Sequence, residues 1–331
     1  MTKKPRTMTQ RRRFFSADSF WNRPIPRDAR TDARNEQYLK CLATEPTGGV
    51  HINASKFTIP VYDVDARTPL RRIRQKATTP EQQAKAVNAR REFRHGPGFG
   101  PDVPIPDGAV PDPAGDHHAA FVDWERGMAW DVWGGEKLPD GAWESWTGMT
   151  YSIDGPGVFR IEDLPAELGD SIHYHGPSRA AGVPAIAGLA MHHEVVAGRI
   201  EHKLAMAARH NAYQEFCFPA TWTDGRFPGG LPEGAVVQLD PDLDLGPFDL
   251  KPGARTIARA LQEYGMVNVD GAAGTVVYAE GIYHDPSKSW DGWFDEQELK
   301  RIPIEHFRVV ALPPVTARGD GRRGLRLALP W

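Results

Sequence analysis

Hydrophobic residues occur along this chain in many short runs, and most of the runs are interrupted by glycine or proline. The clearest strand signal covers residues 117–123 and 128–133, and the four residues between them end in glycine, which is typical of a β-hairpin. Further short strands are predicted over 50–64, 143–151, 157–161, 170–175, 235–239, 266–269, 275–279 and 306–312.

The spacing of apolar residues predicts helices over 32–43, 80–94, 184–196, 199–212 and 253–264. In the fourth of these, Ile200, Leu204 and Ala208 recur at spacing four and would form a buried stripe with His202 on its flank. The last one ends at Gly265, a residue type suited to a helix C-terminus.

Strands outnumber helices and do not alternate with them as βαβ units would. This pattern favours a mainly β fold, an antiparallel β-sandwich or jelly roll with a few packed helices. The 33 glycines and 29 prolines fit short elements with many connections. Because no linker divides the body, one domain is predicted over 14–312, preceded by a basic arm, 1–13, and followed by a basic tail, 313–331.

Charge is distributed unevenly along the 331 residues, although the net charge is only −3. The arm holds six basic residues and no acid, and the tail holds four arginines against Asp320, so the body carries the acidic excess. An acidic body argues against nucleic acid as the main ligand, because phosphates require a basic face. The basic ends are candidates for contacts with other virion or tail subunits; the alternative is that they are solvated extensions.

Several functional classes lack their motifs in this sequence. There is no P-loop, no GxGxxG after a strand and no GxSxG, so no cofactor is expected, and no histidine spacing predicts a metal site. Cys41 and Cys217 are too few for a disulfide framework, and two reduced thiols are expected. No run of 18 apolar residues predicts membrane insertion, and the basic N-terminus lacks the apolar region of a secretory signal.

Tryptophan is the most informative residue type, since five of the ten tryptophans fall within 124–146. Side chains two apart on a strand share a face, so Trp133 lies with Asp131 and Trp130 lies on the opposite face. We therefore expect one ring to be exposed and the other to be core. An exposed ring beside a carboxylate suits a sugar, and Trp133 and Trp146 are candidate substrate-binding residues. The alternative is that all five rings pack in the hairpin core.

Histidines and acids supply the remaining candidates for chemistry. On a predicted strand, His173 and His175 would point to one face, a geometry suited to proton transfer. The loop 218–225 carries an aromatic ring and an acid, although an Asp-Gly turn is an equal explanation for the acid. The candidate catalytic residues are His173, His202, Asp131 and Tyr278, and the further candidate substrate-binding residues are His118, Arg179, Trp222 and Asp224.

Four blocks of the chain stand in a recognisable order: FWNRPIP at 20–26, His118 with FVD at 121–123, GRIEH at 198–202 and YGMV at 264–267. Together they resemble a β-rich family of actinobacterial proteins that are usually secreted. The resemblance implies a β-rich fold over most of the body and no particular activity. Phages of actinobacteria carry similar carbohydrate-directed modules in their tails, so the resemblance also implies a virion location that requires no secretion signal.

A second set of segments, REFR at 91–94, Ile172-His173 and YAEGIY at 278–283, resembles jelly-roll polysaccharide lyases of the alginate-lyase type. Ser171 stands where those lyases have glutamine, and no lysine precedes Gly281. The resemblance implies that Arg91 or Arg94 neutralises a uronate carboxyl, that His173 is the base and that Tyr278 or Tyr283 is the acid. Hydrolysis would instead need two carboxylates, for which Asp131, Glu144 and Glu280 are available.

The sequence thus leads to two hypotheses. The first is a carbohydrate-directed β protein that binds a cell-envelope or extracellular polysaccharide; a stronger version of this hypothesis is that it also cleaves the polysaccharide. It would act as a phage tail component or reach the cell exterior by a route that needs no signal peptide. The alternative is a purely structural virion tail or assembly protein, in which the sheets carry no site and the basic ends bind neighbouring subunits.

Overall fold

A computed structural model describes residues 13–43, 48–76, 102–159 and 179–317 of the chain and shows a mainly β protein. Several predicted features lie outside the described residues: the helix at 80–94 with Arg91 and Arg94, and the strand at 170–175 with His173. Most of the basic arm and most of the basic tail also lie outside them. The helices are α1 Asn35–Leu42, α2 His192–Val196 and α3 Pro252–Glu263, and the 3-10 turns are Phe20–Asn22, Gly246–Phe248, Glu298–Arg301 and Ile304–His306.

The strands are short, as the frequent glycines and prolines predict. In chain order they are β1 His51–Asn53, β2 Val61–Asp63, β3 Leu70–Arg71, β4 Ile73–Gln75, β5 Val103–Pro104, β6 Ala119–Asp123, β7 Met128–Trp133, β8 Glu136–Lys137, β9 Trp143–Ser145, β10 Thr147–Ser152, β11 Leu204–Ala208, β12 Asn211–Cys217, β13 Leu231–Glu233, β14 Val236–Leu239, β15 Met266–Gly271, β16 Val276–Tyr278, β17 Phe307–Val309 and β18 Val315–Ala317.

Two larger sheets organise the fold. A six-stranded sheet has the order β1-β16-β11-β15-β14-β17, and a four-stranded sheet has the order β10-β7-β6-β2. The predicted hairpin β6–β7 is confirmed, with Phe121 opposite Trp130. Both sheets are mixed, because β11 and β15 run parallel, as do β2 and β6. A sandwich or jelly roll therefore stays a prediction, while the mainly β class is confirmed.

Three hydrophobic cores stack on these sheets. The helix-side core joins one face of the six-stranded sheet to α1 and α3. The inter-sheet core joins the other face to the four-stranded sheet through residues such as Val122 and Val267. The outer core packs the far face of the four-stranded sheet, including Phe121, against β4, β5 and β9, where Trp143 is fully buried. The six-stranded sheet is therefore covered on both faces.

The predicted helix at 199–212 is wrong, because residues 204–208 and 211–217 are strands. On β11, Leu204, Met206 and Ala208 enter the helix-side core, whereas Ala205 and Ala207 enter the inter-sheet core. A strand that is buried on both faces has a continuous run of apolar residues. Such a run also contains apolar residues at a spacing of four, so it cannot be told from a buried helix by its pattern alone. Here the tertiary context outweighs the helix propensity of alanine.

The predicted helix at 184–196 is also wrong over most of its length, because only His192–Val196 is helical. Residues 179–191, which we call the inter-sheet segment, run irregularly through the inter-sheet core. Their backbone is paired with both sheets: Ala205 N donates to Gly188 O at 2.8 Å, and Ala185 N donates to Asp131 Oδ2 at 2.7 Å. A buried irregular segment requires such partners for its polar backbone groups.

The opening FWNRPIP block closes one end of the fold. Trp21 is 1% exposed and donates from Nε1 to Gly157 O at 2.7 Å, while Asn22 Nδ2 donates to Phe14 O and Ser16 O, both at 2.9 Å. The buried amine of Lys203 donates to Phe20 O at 3.1 Å. Trp21 and Asn22 also line one small cavity with His202, so the FWNRPIP and GRIEH blocks lie next to each other. The contacts of Trp21 and Asn22 are those of structural residues.

Candidate functional site

Chemically reactive side chains meet at one end of the layer between the two larger sheets. On β7, Trp133 and Asp131 share a face with Ala129, which belongs to the inter-sheet core. From the opposite sheet, Tyr278 and Asp270 approach the same layer on β16 and β15. We call this group the inter-sheet site; its members are His118, Asp131, Trp133, Arg179, Asp270 and Tyr278, and five of the six were predicted from the sequence.

Arg179 lies at the centre of the site and is 1% exposed. Its Cζ stands 4.0 Å from the centroid of the Tyr278 ring, and its Nη2 donates to Ala185 O at 3.2 Å. Its Nη1 is 3.8 Å from Asp270 Oδ2, beyond hydrogen-bond distance. Nε and Nη1 have no hydrogen-bond partner among the described residues. The guanidinium is thus a buried cation with unused donors, which is costly without a counter-charge nearby.

Three carboxyl groups of this site, Asp270, Glu233 and Asp224, influence one another electrostatically. The pKa of Asp270 is raised to about 8, mainly by burial; the charge of Arg179 lowers it, and the charges of Asp224 and Asp116 raise it. Burial likewise raises the pKa of Glu233, with additional contributions from Asp224 and Asp270. Asp224 is exposed, and both of its carboxylate oxygens lie 3.6 Å from the position that a Cβ on Gly271 would occupy. Asp270 therefore holds a proton at neutral pH beside an exposed carboxylate.

Asp270 is expected to make the protein more stable at about pH 5.5 than at about pH 7.5. The native state binds this proton with a pKa of about 8, and the unfolded chain releases it near pH 4, so stability is present at low pH and is lost as the pH rises through that window. One such group contributes a slope of up to about 1.4 kcal/mol per pH unit. Denaturant unfolding at several pH values should show a flatter profile for Asp270→Asn than for the control Asp244→Asn; parallel profiles would contradict the assignment.

His118 and Tyr278 both stand in their neutral forms. Burial lowers the pKa of His118 to about 4, against the opposing charge of Asp116, and its Nδ1 lies 3.1 Å from Val132 O. With the proton on Nδ1, where that carbonyl accepts it, Nε2 is left with a lone pair. Burial raises the pKa of Tyr278, and the charge of Asp270 adds to this. The pair therefore combines a neutral imidazole with a protonated phenol.

Asp131, a predicted catalytic residue, is fully buried, and its carboxylate accepts the Ala185 N–H. Burial raises the pKa of the neighbouring Tyr151 hydroxyl, and the negative charge of Asp131 raises it further. These contacts make Asp131 the anchor that holds the inter-sheet segment against β7. The structure thus gives Asp131 a structural contact and no exposure to solvent.

Trp130 and Trp133 lie on opposite faces of β7, as the strand alternation predicts, although Trp133 is half-buried rather than exposed. Trp130 and Trp143 are buried in the outer core, while Trp124, Trp133 and Trp146 are half-buried, so the alternative of five core rings is wrong. Trp133 Nε1 lies 3.5 Å from Asp116 Oδ1, and the charge of Asp116 acts on Asp270. Trp133 is therefore linked to Asp270 through Asp116.

His202, a predicted catalytic residue, lies elsewhere. His202 lies just before β11, five residues ahead of Ala207, and Ala207 pairs with Asp270 of the inter-sheet site. At about 3.3 Å per residue, five residues of extended chain span about 16 Å, so His202 is distant from that site. Its Nε2 is 3.0 Å from Glu194 Oε2 and its Nδ1 is 2.8 Å from Lys203 O. The pair lines a cavity of about 10 Å³, room for one water molecule.

The remaining predicted residues are dispersed. Trp222 is only 7% exposed, so its ring is not accessible to solvent. Trp146 packs closely over Gly134, and the Lys76 ammonium lies 5.9 Å from the centroid of the Trp146 ring. Among the carboxylates considered for hydrolysis, Glu144 lies 3.6 Å from Arg74, and buried Glu280 accepts from Lys288 Nζ at 2.7 Å. Sequence reasoning missed Asp270, whose signal is an acid directly after the apolar run 266–269.

Among the described residues, no group of three or more histidine, cysteine or acidic side chains is arranged to hold a metal ion. Cys41 and Cys217 are free and buried. In the same part of the chain, every helix is too short or too polar to cross a membrane. Comparisons of the chain with protein-family models, with curated proteins and with solved structures give no match.

Proposed function

We propose that this protein binds a polysaccharide and hydrolyses it at the inter-sheet site. The observation that carries the proposal is the convergence of the partly exposed, protonated Asp270 with the exposed Asp224 carboxylate. The half-buried ring of Trp133 is linked to them through Asp116, which lies 3.5 Å from Trp133 Nε1 and whose charge acts on Asp270. Glycoside hydrolysis needs an acid that keeps its proton at neutral pH and a second carboxylate that does not. A tryptophan face supplies the stacking surface for a sugar ring.

The residues have distinct roles in this mechanism. Asp270 donates its proton to the glycosidic oxygen as the bond to the anomeric carbon breaks. In one route Asp224 attacks the anomeric carbon, and water then displaces it while Asp270 takes up the proton of that water. In the other route Asp224 removes a proton from the attacking water, after which Asp224 loses that proton to solvent and Asp270 takes one up from solvent. Arg179 holds its positive charge behind Asp270, so that the carboxylate formed by proton donation is stabilised.

A second candidate reaction at the same site is β-elimination from a uronate. It is favoured by one observation: Arg179, with its two unpartnered nitrogens, lies against Tyr278 and close enough to His118 to lower the pKa of that imidazole. The arginine would neutralise the uronate carboxyl, His118 would remove the C5 proton and Tyr278 would protonate the leaving oxygen. Elimination leaves an unsaturated product that absorbs ultraviolet light, whereas hydrolysis leaves only a new reducing end.

Trp133→Ala is expected to weaken polysaccharide binding about tenfold, or about 1.4 kcal/mol, because the stacking face is lost. Trp124→Ala is the matched control, since Trp124 is also half-buried but stacks on Phe14 at 5.1 Å and donates to Asp63. Affinity electrophoresis in gels that contain soluble polysaccharides measures the binding, and thermal unfolding measures stability. Equal loss of binding in both variants would contradict the placement of the site. A chain that binds no polysaccharide but assembles with itself would favour the structural virion role.

A further inference from the structure

Glu233, the last residue of β13, is a buried acid that the proposed mechanism does not use. Its side chain is fully buried, whereas Asp224 is exposed. The strand β13 lies alongside β12, where Leu231 pairs with Asn211. An acid enclosed by protein keeps a negative charge only where donors or cations compensate it, so the partners of Glu233 decide which form it takes.

Asn211 connects Glu233 to the inter-sheet site. Its Nδ2 donates to Glu233 Oε1 at 3.3 Å and to the main-chain oxygen of Asp270 at 2.7 Å. Its Oδ1 accepts from Asn268 Nδ2 at 2.9 Å, and Asn268 Nδ2 also donates to two carbonyl oxygens of β13. Both asparagines are buried. These hydrogen bonds fix the position of Glu233 relative to β15, the strand that carries Asp270.

The loop that carries Asp224 is anchored on the same part of β12. The Oγ1 of buried Thr223 donates to Ala212 O at 3.5 Å and accepts from Gly225 N at 2.9 Å. A Cβ at Gly225 would clash with Ala212 O, so the loop backbone lies directly against the strand. The side chains of Thr223 and Asp224 are both close enough to Glu233 to affect its protonation through hydrogen bonding. The exposed acid and the buried acid therefore face each other.

These contacts accommodate Glu233 in its protonated form. Burial raises the pKa of Glu233 well above its usual value, and the charges of Asp224 and Asp270 raise it further. Oε1 accepts from Asn211, while Oε2 has no partner at ordinary hydrogen-bond distance among the described residues. A proton on Oε2 gives Glu233 a donor for the facing Asp224 carboxylate, whereas two ionised carboxylates would repel each other here.

We propose that Glu233 is a positioning residue of the inter-sheet site: a buried, protonated carboxyl that donates a hydrogen bond to Asp224 and holds it in place as an ionised carboxylate. The inference rests on the proposed function, in which Asp224 acts on the anomeric carbon or on water. It deepens that function by naming the group that controls Asp224. A donated hydrogen bond favours the ionised form of the acceptor, so Asp224 loses its proton at a lower pH than it would alone.

The test compares Glu233→Gln with Glu233→Leu. The glutamine amide keeps both contacts, because its oxygen accepts from Asn211 and its nitrogen donates to Asp224, whereas leucine has a similar volume and makes neither. Glu298→Gln is the control, at a buried glutamate that accepts from Lys251 N and Asp295 N beside the start of α3. Cleavage is measured against pH, and carboxyl ¹³C NMR titration, assigned with Asp224→Asn, measures the pKa of Asp224 without substrate.

We expect Glu233→Leu to lower kcat about ten- to a hundredfold and to leave KM within about twofold, since Glu233 touches no substrate. The acid limb of the pH profile and the pKa of Asp224 should both rise by about one pH unit. Glu233→Gln should stay within about threefold of the intact chain and shift neither, like the control. Asp270 faces Glu233 from β15, and Arg179 and Asp116 act on Asp270 in turn. All three remain in every variant, so the shift reports on Glu233.

Infrared spectroscopy tests the protonation state even if Glu233→Leu does not fold. Ordinary carboxyl groups are ionised at pH 7, so the C=O stretch of protonated carboxyls should lose one component in Glu233→Gln and another in Asp270→Asn. Three results would overturn the inference: an unchanged stretch in Glu233→Gln, equal loss of cleavage in the glutamine and leucine variants, or an Asp224 that titrates in Glu233→Leu as in the intact chain. The proposed function fails separately, when the intact chain cleaves no polysaccharide; the titration and the infrared spectra need no substrate and still decide whether Glu233 holds Asp224.

Discussion

Asp270→Asn is expected to lower the kcat of polysaccharide cleavage by about 10²- to 10⁴-fold, the usual contribution of a positioned general acid. The amide has nearly the shape of the protonated carboxyl but has no proton to donate to the leaving oxygen. Binding should therefore stay within about twofold, since the wild-type group is already uncharged at neutral pH.

The pH profile gives an independent measurement of the same assignment. Cleavage by the unmodified protein should fall above about pH 8, where Asp270 loses its proton. Asp224→Asn should also be slow, and a small anion such as azide should restore its turnover if that carboxylate acts on the anomeric carbon. Asp244→Asn, at an exposed acid whose Oδ1 accepts from Gly246 N, is the control and should retain full activity. If Asp270→Asn cleaves at the normal rate and its products absorb ultraviolet light, the reaction is an elimination, and Arg179, His118 and Tyr278 are then the residues that carry it out.

Gly188→Ala is expected to destabilise the protein by about 3 kcal/mol or more, because it overfills the middle of the inter-sheet core. A Cβ at this position would lie 2.3 Å from Ala205 N and 2.7 Å from Leu204 C, both backbone atoms of β11 that cannot move independently of the sheet. The φ of +73° adds the strain of a left-handed alanine.

Gly198→Ala separates these two contributions. Gly198 has a φ of +76°, nearly that of Gly188, but a Cβ there meets nothing within 4 Å. It should therefore lose only about 1 kcal/mol, the cost of the backbone conformation. Denaturant unfolding of the two variants measures the difference. Equal losses would mean that the inter-sheet segment is loosely packed and can yield to the added methyl group.

Local pattern predicts the parts of this fold whose side chains alternate or end in recognisable caps. The β6–β7 hairpin follows from two short strand-like runs joined by a four-residue loop that ends in glycine, and α3 follows from its end at Gly265. The same reasoning fails at β11 and at the inter-sheet segment. There, the chain approaches the neighbouring sheet so closely that only small residues such as alanine and glycine fit. This constraint comes from residues distant in the chain, so the local sequence does not reveal it.

The candidate site shows the same division. Strand alternation places Trp133 and Asp131 on one face, and the histidine and arginine were singled out by residue type. Their convergence with Asp270 was beyond prediction, because β7, β15 and the inter-sheet segment are far apart in sequence and meet only in the folded chain. Asp131 and His202 are chemically suitable side chains that also make structural contacts: Asp131 accepts from Ala185 N, and His202 lies against Lys203 O and Glu194.

The position of residues 179–191 has a consequence for how the molecule assembles. Their backbone is hydrogen-bonded to β7 through Asp131 and to β11 through Gly188. We therefore expect this stretch to be enclosed while both sheets are still forming, through contacts between residues distant in the chain, and such contacts favour slow folding. In the folded protein both larger sheets are hydrogen-bonded to residues 179–191, and we expect the two sheets to unfold in a single cooperative transition.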